Sequence, residues 1–330
     1  MTKVDIISGF LGAGKTTFIK KLLEEKSFGE EKLVLIENEF GEIGIDGTLL
    51  KNSGIEIKEM NSGCICCTIA GDFNQALKEM AKTYHPDRII IEPSGVGKLS
   101  DVIRGCGQLM KENEVGLNIC MTVVDCTKYK IYMRNFGEFY KDQLMNAKVI
   151  ILSRTQNVKP EMLEYVINDI KKYNKQAALI TTGWEQLSGP QLVELAETTE
   201  EYGMENNMLT QLNPYCKVQD KMYKNGGLKI TGTALKAHHH ADEVFSVWSK
   251  ETGKIFEYRQ LEEILERLEQ SKGVILRAKG IVRTSKEQWV QFDYVPGEKS
   301  IRETAVDFTG RICVIGKDID QQQLSELFGM

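Results

Sequence analysis

Eight consecutive residues, Gly9-Phe10-Leu11-Gly12-Ala13-Gly14-Lys15-Thr16, satisfy every fixed position of the pattern G-x-x-x-x-G-K-[ST]. Glycines at these spacings let the backbone turn its N–H groups inward around phosphate oxygens, at the positive end of the helix that follows. Gly12, Ala13 and Gly14 would line that cradle, with Thr17 just beyond it. Lys15 would set its charge against the β- and γ-phosphates, and Thr16 would offer a hydroxyl to Mg²⁺. A magnesium-bound triphosphate also needs a carboxylate at the end of a neighbouring strand. The run RIIIEPSG supplies Glu92, which can reach the ion through water, and the Gly95 N–H, which can sense the γ-phosphate. The other reading of Glu92 is a strand-end acid that caps the next helix.

Three of the eight cysteines crowd together as Cys64, Cys66 and Cys67, while Cys106, Cys120, Cys126, Cys216 and Cys313 are scattered. Scattered cysteines in apolar surroundings are inert core residues. The cluster has three readings: metal ligands, a redox thiol group, or reduced structural residues. An internal run, His238-His239-His240, is open in the same way. On an extended segment neighbouring side chains diverge, so one or two of these histidines could hold a metal, or the run is a solvated strand entry. His85, in YHPD, reads as an ordinary loop residue.

These groups need a scaffold, and the apolar pattern describes one. Runs at 3–8, 32–37, 88–92, 118–125, 148–153 and 177–181 are rich in Ile and Val without polar alternation, as in strands buried on both faces. Between most of them lie amphipathic segments, among them 18–25, 73–84 and 161–173. The expected fold is α/β: a P-loop NTPase domain with a mostly parallel sheet and helices on both sides, in residues 1–200. GIEIKEM (54–60) alternates in polarity and suggests one more strand, leading to the cysteines. Residues 201–229 are polar and aperiodic, a linker or peripheral excursion. Residues 230–330 then carry strand patterns at 244–248, 273–283, 288–295 and 311–316, with two helical ones at 258–270 and 320–328, which makes a small α+β domain.

The chain is 330 residues long, 42% hydrophobic and 27% charged, with a net charge of −5. That balance disfavours nucleic-acid and acidic-membrane partners, and no apolar run is long enough for a span. The expected setting is cytoplasmic; association into a homo-oligomer is left open.

Three further segments, Glu37–Asp46 (ENEFGEIGID), Gly63–Cys67 (GCICC) and Glu92–Gly95 (EPSG), are spaced after the phosphate loop as in the CobW-like metal-trafficking GTPases. HHHADEVFSVW, RAKGIV (Arg277–Val282) and RICVIGKD resemble that family's C-terminal domain. The resemblance implies slow GTP hydrolysis, Zn²⁺ or Co²⁺ bound at the cysteine motif, and delivery to a client metalloprotein or cobalamin-related protein. By the same resemblance Cys64, Cys66 and Cys67 match its C-x-C-C motif. Glu37, Glu39 and Glu42 match the acidic positions of the first switch segment, with Glu39 and Glu42 placed near the catalytic centre. Thiolates with a carboxylate suit Zn²⁺ and admit Co²⁺. Adjacent Cys66 and Cys67 chelate poorly together, so two cysteines plus Glu37 or Glu42 are the expected ligands.

One departure concerns the base. Where the family carries Asn-Lys-x-Asp, this chain has Ser153-Arg154-Thr155-Gln156. Arg154 can stack on a purine as the lysine would. Gln156 offers one acceptor where the aspartate receives two guanine donors, so GTP selectivity relaxed towards ATP is expected. The competing functional readings are a P-loop small-molecule kinase or amidoligase with a structural zinc, and a nucleotide-dependent binding module without turnover.

Overall fold

The computed structural model describes residues 1–38, 56–60, 70–112, 114–198, 244–284, 288–307 and 309–330. The first sheet contains β1 (Thr2–Gly9), β2 (Leu33–Asn38), β3 (Glu56–Met60), β4 (Arg88–Glu92), β5 (Val115–Asp125), β6 (Val149–Ser153) and β7 (Ala178–Ile180). Its order is β3-β2-β4-β1-β5-β6-β7, and every pairing is parallel. The expected parallel sheet is therefore present, and Glu56–Met60, within the 54–60 run, forms the strand at its edge. All five residues of β4 and of β6 are buried, as expected for Ile/Val runs covered on both faces.

Helices α1 (Lys15–Glu24), α2 (Ala70–Tyr84), α3 (Leu99–Lys111), α4 (Tyr129–Asn135), α5 (Gly137–Asn146), α6 (Pro160–Tyr173) and α7 (Gly189–Thr198) accompany this sheet. Two apolar clusters separate its faces. One joins Phe18, Ile19 and Leu22 of α1 to Leu35, Ile90, Val123 and Ile151. The other joins Phe73 and Leu77 of α2 to Val34, Ile89 and Cys106. Pro160 opens α6 at a position whose N–H has no helical partner, so its ring costs no hydrogen bond.

At the end of the sheet where β1 begins, Arg88 is 2% exposed among three carboxylates. It pairs with Asp5, 1% exposed, with Glu31, and with Glu197 at 2.9 Å. Asn118 Nδ2 and the Ile119 N–H also donate to Asp5, at 2.8 and 3.1 Å.

The second sheet is antiparallel, in the order β11-β10-β9-β12-β8, from β8 (Ser246–Thr252), β9 (Val274–Arg283), β10 (Trp289–Val295), β11 (Glu298–Thr304) and β12 (Gly310–Lys317). Helices α8 (Tyr258–Arg267) and α9 (Gln321–Phe328) pack on it through Leu261, Ile264, Leu265, Leu324 and Phe328. Asp320 caps α9 by accepting from the N–H groups of Gln322 and Gln323, each at 3.1 Å. This is the expected α+β unit, with β11 as a strand that the apolar pattern did not reveal. The two units share packing: Phe245 lies 5.5 Å from Phe136, 5.1 Å from Phe139 and 6.4 Å from Phe10 between ring centroids. Among the described residues no helix is long and apolar enough to cross a membrane.

Candidate functional site

The glycine-rich loop joins the end of β1 to the start of α1, at the edge where the parallel strands finish. Phe10 anchors it. Its ring, fully buried, lies 4.7 Å from that of Tyr132 and 5.4 Å from that of Phe136. Gly12 has φ +70, a left-handed backbone that an L side chain rarely takes. Lys15 is buried at the loop's end and donates to the Phe10 carbonyl at 3.4 Å. Thr16 Oγ1 donates to Glu92 Oε1 at 2.8 Å. The hydroxyl and the strand-end carboxylate singled out in the sequence thus meet, although 76 residues separate them. Two hard oxygen donors this close fit a Mg²⁺ ion, held directly or through its water shell. Thr17 stands exposed on the first turn of α1.

Gly95 packs directly on the phosphate loop. A methyl group there would lie 2.8 Å from the Leu11 nitrogen and 3.0 Å from its Cα, so only glycine permits this approach. The segment between β4 and α3 is thereby placed against the loop that would hold the phosphates.

The segment Ser153–Gln156 follows β6. Ser153 Oγ donates to the Ala13 carbonyl at 2.8 Å, tying this strand end to the phosphate loop. The sequence marks this segment only as a base reader; the hydroxyl at its first position is the one signal there for the tether. Arg154 adopts a left-handed backbone, φ +56. Its guanidinium binds Asp125 at the end of β5 at 2.7 Å and Glu298 on β11 through both carboxylate oxygens at 2.9 Å. Gln156 is exposed in the short turn Thr155–Asn157.

Asp125 and Glu298 were not singled out from the sequence. The strand-end aspartate in VVDCT was a usable signal for the first. Nothing in the primary pattern indicates that the β10–β11 turn reaches this site. Val295, the last residue of β10 before that turn, stands so near Gly12 that a methyl group on Gly12 would come within 2.6 Å of its Cγ1. Lys128 Nζ donates to the Pro296 carbonyl of the same turn.

Of the expected zinc or cobalt ligands, Glu37 is placed. It is buried at the end of β2, in register with Glu92. Glu39, Glu42, Cys64, Cys66, Cys67 and His238, His239 and His240 lie outside the described residues. Among the described residues no cluster of three or more metal-ligating side chains is present. Cys106, Cys120, Cys126 and Cys313 are free and buried. Burial pushes the thiols of Cys106, Cys120 and Cys126 up to about 12. At neutral pH they are protonated core groups, as expected of the scattered cysteines.

A phosphate loop between strand and helix, a threonine–carboxylate pair and a parallel sheet together define a P-loop nucleotide-binding protein. Residues 3–181 match the CobW/HypB/UreG nucleotide-binding domain, and residues 245–330 match the cobalamin synthesis protein CobW C-terminal domain. The chain belongs to the CobW/HypB/UreG family.

It is similar to the zinc chaperone YeiR of Escherichia coli K12, with 35% identity over 161 residues, or 49% of each chain. It is also similar to the zinc-regulated GTPase metalloprotein activator 1 of Schizosaccharomyces pombe, with 29% identity over 213 residues, 62% of this chain and 50% of that one. The chain spans about half the length of these curated relatives. Among solved structures, the Zn(II)-bound YjiA GTPase of E. coli is 21% identical with a TM-score of 0.46, covering 99% of this chain and 98% of that one.

Proposed function

We propose that this protein is a slow, Mg²⁺-dependent nucleoside-triphosphate hydrolase, acting on GTP and with reduced preference on ATP. In this reading it holds Zn²⁺ or Co²⁺ and passes it to a client metalloprotein or cobalamin-related protein. The observation that carries the hydrolytic reading is the Thr16–Glu92 contact beside buried Lys15. Family membership and relatives named as zinc chaperones support the metal reading. Thr16 and Glu92 are assigned to Mg²⁺. Glu37 or Glu42, with two of Cys64, Cys66 and Cys67, are assigned to the transported metal.

Glu37 supports a coupling between the two. It is the penultimate residue of β2, paired in register with Glu92 on the adjacent strand, and the sequence that follows runs on to the cysteines. If triphosphate rearranges that segment, metal affinity must change, and by linkage nucleotide affinity must change by the same factor when metal is present. The test is metal affinity measured in the nucleotide-free, diphosphate and triphosphate-analogue states. A difference of about 5- to 150-fold is expected; equal affinity in all three states rules out nucleotide-driven delivery. Loss of the metal on joint Cys66→Ala and Cys67→Ala substitution, with weakening by Glu37→Ala, would assign the ligands.

Base choice has its own test. Gln156 leaves one guanine donor without the carboxylate that would receive it, so the GTP preference over ATP should be under about a hundredfold. Gln156→Asp should strengthen it by about 1–3 kcal/mol. Competition binding with both nucleotides reads this directly. A wild-type preference of several orders of magnitude would show that another segment reads the base.

A further inference from the structure

The segment Pro93–Lys98 has no regular secondary structure, yet every residue in it is buried. A buried loop must have its backbone carbonyls satisfied by something. Here α5 does this. Gln143, fully buried, donates through Nε2 to the Gly95 carbonyl at 3.1 Å and to the Gly97 carbonyl at 2.8 Å. One residue earlier, Asp142 accepts from the Ser100 N–H at 3.0 Å and from its hydroxyl at 2.7 Å. One turn earlier, Glu138 pairs with Lys98 at 2.7 Å. The helix is itself tied to the sheet, because Thr122 Oγ1 on β5 donates to the Gln143 carbonyl at 2.8 Å.

The amide orientation of Gln143 follows from its neighbours. Two carbonyl oxygens face it, so the NH₂ group must point at them; the reverse orientation would set three acceptors together. That leaves Gln143 Oε1 buried with no hydrogen-bond partner among the described residues. A glutamine kept merely to fill space would be better replaced by an apolar residue of the same shape, since a buried orphan acceptor is costly. Its two donors therefore have a use that outweighs this cost.

Satisfying two buried carbonyls is one such use, and the other side of the same loop suggests a second. Gly95 is wedged between Gln143 and the Leu11 backbone, within the phosphate loop. A carbonyl oxygen turned towards a γ-phosphate would repel it, whereas an N–H would bind it. We propose that Gln143 is a positioning residue for nucleotide-state sensing. Its amide holds the Gly95 and Gly97 carbonyls towards α5, so that the Gly95 N–H is kept for the third phosphate, the Val96 and Gly97 N–H groups being taken up by Ser94. This rests on the triphosphate reading given above and adds to it a residue that touches neither nucleotide nor metal.

The test is Gln143→Met in the full chain, which keeps the volume and removes both donors. Affinities for GDP and for a non-hydrolysable GTP analogue, and turnover at saturating GTP, are measured with Mg²⁺. GDP affinity should stay within about twofold, while analogue affinity and turnover each fall ~10-fold, the scale of a lost charge-assisted hydrogen bond to phosphate. A folded variant with an unchanged GDP-to-analogue ratio and unchanged turnover overturns the assignment. So does a parallel loss of both affinities, which would mean that Gln143 only maintains the fold. Should the methionine variant fail to fold, Gln143→Asn retains an amide with a shorter reach and is held to the same ratio. Wild type that binds neither nucleotide would defeat the triphosphate reading itself, before any variant is compared.

Discussion

Lys15→Ala is expected to lower triphosphate turnover by at least ~10²-fold, the loss typical when one preorganised charge-stabilising donor is removed. Lys15 closes the phosphate loop and belongs to neither apolar cluster of the first domain. The variant should therefore melt close to wild type while losing phosphate chemistry. Single-turnover hydrolysis and thermal melting on the same sample separate these outcomes. Wild-type turnover by a folded Lys15→Ala protein would remove the phosphate-loop assignment and the proposed hydrolysis with it.

Arg88→Met is expected to do the opposite, destabilising the first domain without touching the nucleotide site. Methionine fills similar space but leaves Asp5 buried without its cation. Stranding one member of a buried ion pair costs about 3–5 kcal/mol, or roughly 6–20 °C in melting temperature for a domain of this size. The loss should depend on pH, with a definite sign. Burial raises Asp5 above the ordinary carboxylate range, and Arg88 opposes that rise. Without Arg88 the native state favours protonated Asp5 more strongly, so the variant gains stability as pH falls. In wild type, a hydrogen bond from Arg88 holds Glu31 low. Glu197 is also held low, against its own burial, by Asn118 and Arg88. The share of those contributions that Arg88 supplies is lost as wild type is acidified, and the variant lacks that share at the outset, keeping only the contacts with Asn118 and Lys3. Both effects shrink the gap between the proteins as pH drops from 7 towards 3, the glutamate part only below their ordinary value of 4.5. Denaturant melts across that range test this, and a gap that widens on acidification would contradict the assigned role of the network.

What the sequence revealed and what it concealed differ for physical reasons. β4 and β6 were legible because strands buried on both faces are continuous apolar runs, and the phosphate loop because its glycines and lysine are adjacent. β11 was not. It is an edge strand, EKSIRET, with Ile301 as its sole apolar residue, so no hydrophobic period marks it. At the site, Thr16 and Glu92 could be paired in advance because each sits at a motif position. Asp125, Gln143 and Glu298 could not. Each owes its role to where the chain returns after 29 to 144 residues, as in Asp125 to Arg154 and Arg154 to Glu298. Serine in place of asparagine at position 153 looked like part of a lost base reader, yet its hydroxyl holds the Ala13 carbonyl.

The aromatic cluster around Phe10 has a consequence for interchangeability. Phe245, at the threshold of the second sheet, contributes to the same packing as Phe136 and Phe139 of the first domain. A hybrid joining this phosphate-loop domain to another protein's second sheet would therefore inherit a mismatched socket beneath Phe10. The transplantable unit is the first domain together with the ring at position 245, and a graft that ignores this should lose nucleotide affinity even with every phosphate-facing residue intact.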